Sequence, residues 1–230
     1  MRRKVFGEVV GTALLIYLGT GLVLFGGPYV GIVGPAIGWG LMFTMLVYTV
    51  GPLSGCHLNP VVTAMMYVTR RMTGKDAIVY FVSQLIGGLI GEVALVSTYQ
   101  AFLTKNGISW QSAVSENYLA STMYPNLEAS GAFLVEMTIT TILLTVLLVF
   151  MNRQTQEFAG QSPIIVGVTV FTLVMFSGEL TGTSMNPVRS LFPALFAGGA
   201  ALDMLWVYLT APFVAVIFAA MIDKYILSEN

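Results

Sequence analysis

Charge is scarce in this sequence. Asp, Glu, Lys and Arg make up only 9% of 230 residues against 56% hydrophobic residues, and mean hydropathy is +0.82. A water-soluble domain is excluded, because so few charged groups cannot keep a surface of that size in solution. A single cysteine, Cys56, rules out an internal disulfide. A single histidine, His57, leaves no Cys/His cluster for a metal, and no metal or cofactor is expected. Enzyme chemistry lacks its parts as well, since Ser54 near His57 has no third group to orient a base. No basic stripe marks a nucleic-acid surface.

Long apolar runs are abundant instead. A spanning helix takes about 20 mostly apolar residues to cross roughly 30 Å of hydrocarbon, and such segments lie near 5–25, 33–52, 76–99, 129–151, 162–180 and 203–226. The expected fold is therefore all-α, a membrane protein of six transmembrane helices. The opening Met1-Arg2-Arg3-Lys4 followed by an apolar run imitates a signal peptide, but the run outlasts the usual ~7–15 residues and reads as the first span. Six spans put both termini on one side. Arg2, Arg3, Lys4, Arg70, Arg71, Lys75, Arg153 and Lys224 all fall on that side, which the positive-inside rule makes the cytoplasm.

Two short stretches are copies of each other. Ser54-Gly-Cys-His-Leu-Asn-Pro-Val-Val62 recurs 127 residues later as Thr181-Gly-Thr-Ser-Met-Asn-Pro-Val-Arg189. Each places Asn-Pro at the head of an apolar segment too short to cross a bilayer, running from Pro60 to about Thr69 and from Pro187 to about Ala197. At roughly 15 Å each, two such half-helices meeting end to end fill one membrane thickness. Upstream, Glu8 precedes Asn59 much as Glu136 precedes Asn186. The chain thus reads as one channel domain, 1–230, with a first repeat at 1–100, a polar outer connection at 101–128 and a second repeat at 129–230. Three spans per repeat force the second to enter the membrane inverted. Gly51, Pro52 and Gly55, then Gly178 and Gly182, are expected to supply the irregular backbone leading into each half-helix.

Proline at the first helical position loses no hydrogen bond, and Asn before it leaves an amide for the lumen. Where two half-helices meet, both positive dipole ends and both amides converge on one point: Asn59, Pro60 and Val61 from one side, Asn186, Pro187 and Val188 from the other. A neutral solute finds donors there while a cation meets a repulsive field.

At this point a resemblance becomes specific. The segments Glu8-Val-Val-Gly-Thr, Ser54 to Thr63, Gln84-Leu-Ile-Gly-Gly88, Glu136 and Thr183-Ser-Met-Asn-Pro-Val-Arg-Ser190 resemble the major intrinsic protein family of aquaporins and glycerol facilitators over essentially the whole chain. The resemblance implies a homotetramer with one pore per subunit, and an outer aromatic/arginine filter. Counting from each Asn maps that filter to Trp39, Val174, Thr183 and Arg189. Strict water channels of the family usually have His where Val174 stands and Phe where Trp39 stands. Ser190, Ala194 and Tyr208 resemble the water branch and Leu209 the glycerol branch, a mixture similar to the nodulin-26-like subgroup. Water, glycerol, urea and undissociated metalloid acids are the implied solutes, moving passively between water and lipid-embedded pore. Val61 and Val188 depart from the family's usual Ala, which adds bulk where the half-helices pack. Glu179, near the outer mouth, is a second departure.

Other readings compete at several positions. Glu8 and Glu136 suit either proton coupling or hydrogen bonding to strained backbone, and their symmetry favours the second. Arg189 serves a filter or neutralises a buried acid. Trp39 without its spacing would read as lipid-facing, and His57 reads as a hydrogen-bonded loop residue or a pH gate. Cys56 stands where the second copy has Thr183, and its thiol is expected at the inner vestibule. An ion-coupled transporter also uses inverted repeats and broken helices, but it needs a titratable or cation-binding group at the midplane.

Overall fold

The structure, a computed structural model, describes residues 1–152 and 161–227. Six helices are long and apolar enough to span a membrane: Arg2–Val30, Val33–Ser54, Gly74–Lys105, Ala129–Met151, Ser162–Thr181 and Ala200–Leu227. They are called spans one to six here. Two short helices, Pro60–Val68 and Pro187–Ala197, follow spans two and five. The chain is an integral, multi-pass, all-helical membrane protein built as an inverted repeat. Arg153 lies outside the described residues.

Each half-helix begins as the sequence requires. Asn59 and Asn186 adopt extended backbone, and each side-chain oxygen accepts from the backbone N–H two residues on, Val61 at 2.9 Å and Val188 at 3.1 Å. Proline follows at the first helical position in both, where its missing N–H costs nothing.

Glycine sets how closely the spans approach. Gly87 and Gly91 of span three lie against the backbone of Val9 and Ala13 in span one, so an added Cβ at either would strike a carbonyl oxygen. Gly40 of span two lies against Gly167 of span five, where a Cβ would stand 2.8 Å from the Gly167 carbonyl. Span one also departs from α geometry, with π-helical turns at Leu15–Thr20 and Leu22–Gly26. These turns bring Gly19 against the Trp39 indole, where a Cβ would come within 2.5 Å of the ring.

Three expectations need correction. Gly51, Pro52 and Gly178 remain helical, and the irregular backbone starts at Gly55 and Gly182, left-handed residues at φ 84° and 71° that cap spans two and five. Pro52 forgoes one ladder bond in that last turn, a loss that membrane helices tolerate where neighbouring groups satisfy the freed carbonyl. Span three continues to Lys105, past the apolar limit, with Thr104 and Asn106 side chains bonding carbonyls one turn back. The outer connection is not simply loop: Ser109 caps a helix at Trp110–Asn117 by accepting from the Ser112 N–H at 3.1 Å.

Candidate functional site

The loops entering the half-helices hold an unusual conformation twice over. Cys56 and Leu58 have φ of 54° and 49°, and their counterparts Thr183 and Met185 have 48° and 51°. Left-handed backbone at four non-glycine residues is strained, so something must hold it. In the first loop Glu8 does so. Its Oε1 accepts from the Ser54 hydroxyl at 2.7 Å and the His57 N–H at 3.0 Å, and its Oε2 from the Leu58 N–H at 2.8 Å and the Gln84 amide at 2.7 Å. Glu136 repeats the device, accepting from the Thr181 hydroxyl at 2.6 Å and the Ser184 and Met185 N–H groups at 3.0 Å each. A tyrosine completes each copy: Tyr80 donates to the Ser54 carbonyl at 2.6 Å and Tyr208 to the Thr181 carbonyl at 2.8 Å.

His57 belongs to the same scaffold. Its Nδ1 pairs with the Thr63 hydroxyl at 3.0 Å and its ring packs on Tyr80, while in the second copy the Ser190 hydroxyl donates to Ser184 at 2.6 Å. Cys56 is half-buried against the main core.

The two loops meet through their asparagines. The Asn59 amide donates to the Met185 carbonyl at 2.8 Å, and the Asn186 amide donates to the Leu58 carbonyl at 2.9 Å. Each NH2 group has two hydrogens, and one bond from each ties the opposed loops together. The other hydrogen on each has no bond among the described residues.

A narrow cavity of about 20 Å³, room for one water molecule, joins this pair to the outer residues. Asn59, Asn186, Trp39, Val174, Thr183 and Arg189 all line it. Phe43, Leu143 and Val170 form the apolar wall, and Arg189 is the one titratable side chain in the lining. A second cavity of about 300 Å³ shares Trp39, Val174 and Thr183 with it and is also lined by Glu179. Pro60, Val61, Pro187 and Val188 are not in the lining. Val61 is packed with Leu144, Leu148 and Val216, and Val188 is packed against Gly88, whose missing Cβ takes up the valine's extra volume. The added bulk is thus accommodated on the spans' side.

Arg189 is buried with its guanidinium carbon 5.4 Å from the centroid of the Trp39 ring, a desolvated cation–π contact of about 2 kcal/mol. Its Nη2 donates to the Ala120 carbonyl at 3.1 Å, and its Nη1 lies 3.5 Å from the Thr20 hydroxyl. The Ala120 carbonyl is presented by three consecutive left-handed residues, Tyr118, Leu119 and Ala120. No glycine flags this turn, so the sequence carries no signal for it. Thr122, donating to Ser190 at 2.7 Å, anchors the same segment over the second half-helix.

The arrangement presents fixed N–H donors to a slot whose facing wall is carbon. The family model described as Major intrinsic protein matches residues 1–223. The chain is 37% identical over 230 residues to a glycerol uptake facilitator protein-like 6 of Lactiplantibacillus plantarum, covering 99% of this chain and 100% of that one. It is 35% identical to nodulin-26 of Glycine max over 96% of this chain and 76% of the relative. The X-ray structure of the aquaglyceroporin from Plasmodium falciparum superposes with a TM-score of 0.83 at 26% identity, covering 98% and 96% of the two chains.

Proposed function

The chain belongs to the major intrinsic protein family, and from that membership and the geometry above we propose that its pore is a polyol-and-water filter, with glycerol its leading organic solute. It is a passive membrane channel for water and small solutes, and not an enzyme. The observation that carries the finer reading is the shared lining: both asparagine amides and Trp39, Val174, Thr183 and Arg189 face one cavity. Val174 supplies no hydrogen-bond donor and leaves the Trp39–Phe43 wall apolar, so carbon is favoured on one side and hydroxyls on the other. Urea and undissociated metalloid acids are smaller neutral solutes compatible with the same slot.

The repeat boundaries at 1–100 and 129–230, the tetramer and the cytoplasmic placement of both termini belong to this proposal. Orientation draws support from the pairing of Lys4 with Asp76 at 3.8 Å and Arg71 with Asp223 at 2.7 Å, which gathers the basic segments at one end. Native mass spectrometry of the detergent-solubilised protein tests the oligomer.

Stopped-flow permeability in proteoliposomes tests the filter. Val174→His combined with Trp39→Phe should lower glycerol permeability about tenfold, equivalent to ~1.4 kcal/mol of barrier, while water flux persists. Unchanged glycerol flux would remove these residues from the filter. Collapsing proton and sodium gradients should leave glycerol flux unaltered, and dependence on either would make the protein a coupled transporter.

A further inference from the structure

Glu92, in span three, has no part in the scaffold or the cavity lining described above, yet it is fully buried and neither carboxylate oxygen has a hydrogen-bond partner. The Nε of Arg189 is also buried without a partner. Among the described residues these are the two charged side chains that keep a buried polar atom without a partner.

The packing puts them on one seam. One turn before Glu92, Gly88 lies against Val188 and Phe192 of the half-helix that carries Arg189. The residue before Glu92, Gly91, lies against Ala13 and Ile16 of span one, one turn below the Thr20 that Arg189 reaches.

We propose that Glu92 is the counter-charge and positioning residue of Arg189. The proposal rests on the reading that Arg189 faces the solute path. A guanidinium out of water needs a compensating negative charge, which the neutral acceptors Ala120 C=O and Thr20 hydroxyl do not provide. Glu136 has its oxygens committed to three donors.

The internal repeat supplies an independent argument. Val62 stands where the first copy should have its arginine. Glu92 lies twelve residues beyond Tyr80, and the residue twelve beyond Tyr208, the matching tyrosine, is Ala220. The seam between span three and the second half-helix therefore carries Glu and Arg at the two positions where the matching seam, between span six and the first half-helix, carries Ala and Val, so one seam has both charges and the other has neither. With Glu92 behind it, Arg189 offers N–H donors to a neutral solute while its net charge is offset. Without Glu92 the same site carries an uncompensated positive charge that draws anions into the pore.

The test compares Glu92→Gln, Glu92→Asp and Glu92→Ala with the parent in proteoliposomes, reading nitrate flux and the glycerol-to-water permeability ratio. Glu92→Gln should raise nitrate flux about tenfold, or ~1.4 kcal/mol of barrier, and Glu92→Asp should restore the parent's exclusion. A role in packing alone would leave Glu92→Gln like the parent and alter only Glu92→Ala, which overturns the proposal. Thermal unfolding gives a second readout through a double-mutant cycle with Arg189→Leu. Glu92→Gln should lower the midpoint in the parent and raise it beside Arg189→Leu. The same sign in both backgrounds, or misfolding in both, counts against the pair. A parent without solute-driven flux would refute the channel reading, while the cycle would still decide whether the charges are coupled.

Discussion

The two pore loops are the same device built with different amounts of reinforcement. Glu8 accepts four hydrogen bonds and Glu136 three, because Gln84 reaches Glu8 and Glu136 has no counterpart to that bond among the described residues. The second loop is braced from outside instead, by Thr122 on Ser190 and by the Ala120 carbonyl on Arg189. The first loop is therefore held from within its own helix bundle and the second partly by the segment that closes over the outer mouth. The half that carries the arginine is the half that needs a lid to satisfy it.

Removing the carboxylates should break the comparison most severely. Glu8→Leu orphans four buried donors and Glu136→Leu three, each costing about 1–3 kcal/mol, so neither variant should yield monodisperse folded protein by size-exclusion chromatography. The isosteric changes sharpen the difference. In Glu8→Gln the new amide faces two donors whichever way it turns, whereas in Glu136→Gln it can be turned to face only the Met185 N–H. Glu8→Gln should be the less stable by about 1–3 kcal/mol in detergent unfolding. Equal midpoints would mean that Gln84 adds nothing.

The seams differ in the same sense, with a smaller expected effect. Spans one and three approach through Gly87 and Gly91, whereas spans four and six pack through Ala132, Tyr208 and Ala211. Gly91→Ala would drive a methyl into the Ala13 carbonyl and should cost about 1–3 kcal/mol. Ala211→Gly, which only loosens its helix, should cost about 1 kcal/mol. Reversal of that order in urea or thermal unfolding would show that span one shifts freely.

The two ion pairs at the end bearing Arg71 and Lys4 give the smallest contrast. Arg71 binds Asp223 through two bonds, at 2.7 and 3.0 Å, and the aspartate side chain is 9% exposed. Lys4 and Asp76 are 3.8 Å apart at 47% and 28% exposure. Asp223→Asn should therefore cost about 1–2 kcal/mol, while Asp76→Asn should move the unfolding midpoint by less than about 1 kcal/mol and lose that effect in high salt.

Much of the site was legible because pore chemistry at the midplane leaves few residue types to choose from. Asn-Pro at the head of a short apolar segment, repeated with Arg189 attached, points to opposed helix ends wherever it occurs in membrane sequence. Glu92 was not legible. An acid inside an apolar run asks for a compensating group, but only the packing of Gly88 on Val188 and Phe192 puts span three beside the half-helix that carries Arg189. The turn at Tyr118, Leu119 and Ala120 escaped for the opposite reason: it is held by a long-range bond to Arg189 and contains no glycine to announce it.

From sequence alone followed the membrane class, the six spans, the inverted pairing of two half-helices and the amide chemistry at their tips. These depend on local composition and on spacing along the chain, and both are written in the order of residues. Only the tertiary structure decided which faces look inward, that Val61 and Val188 turn toward the spans, that each asparagine is tied to the opposite loop, and where the buried charges lie. Those outcomes depend on how closely helices approach across the bundle, a distance fixed by side chains far apart in sequence.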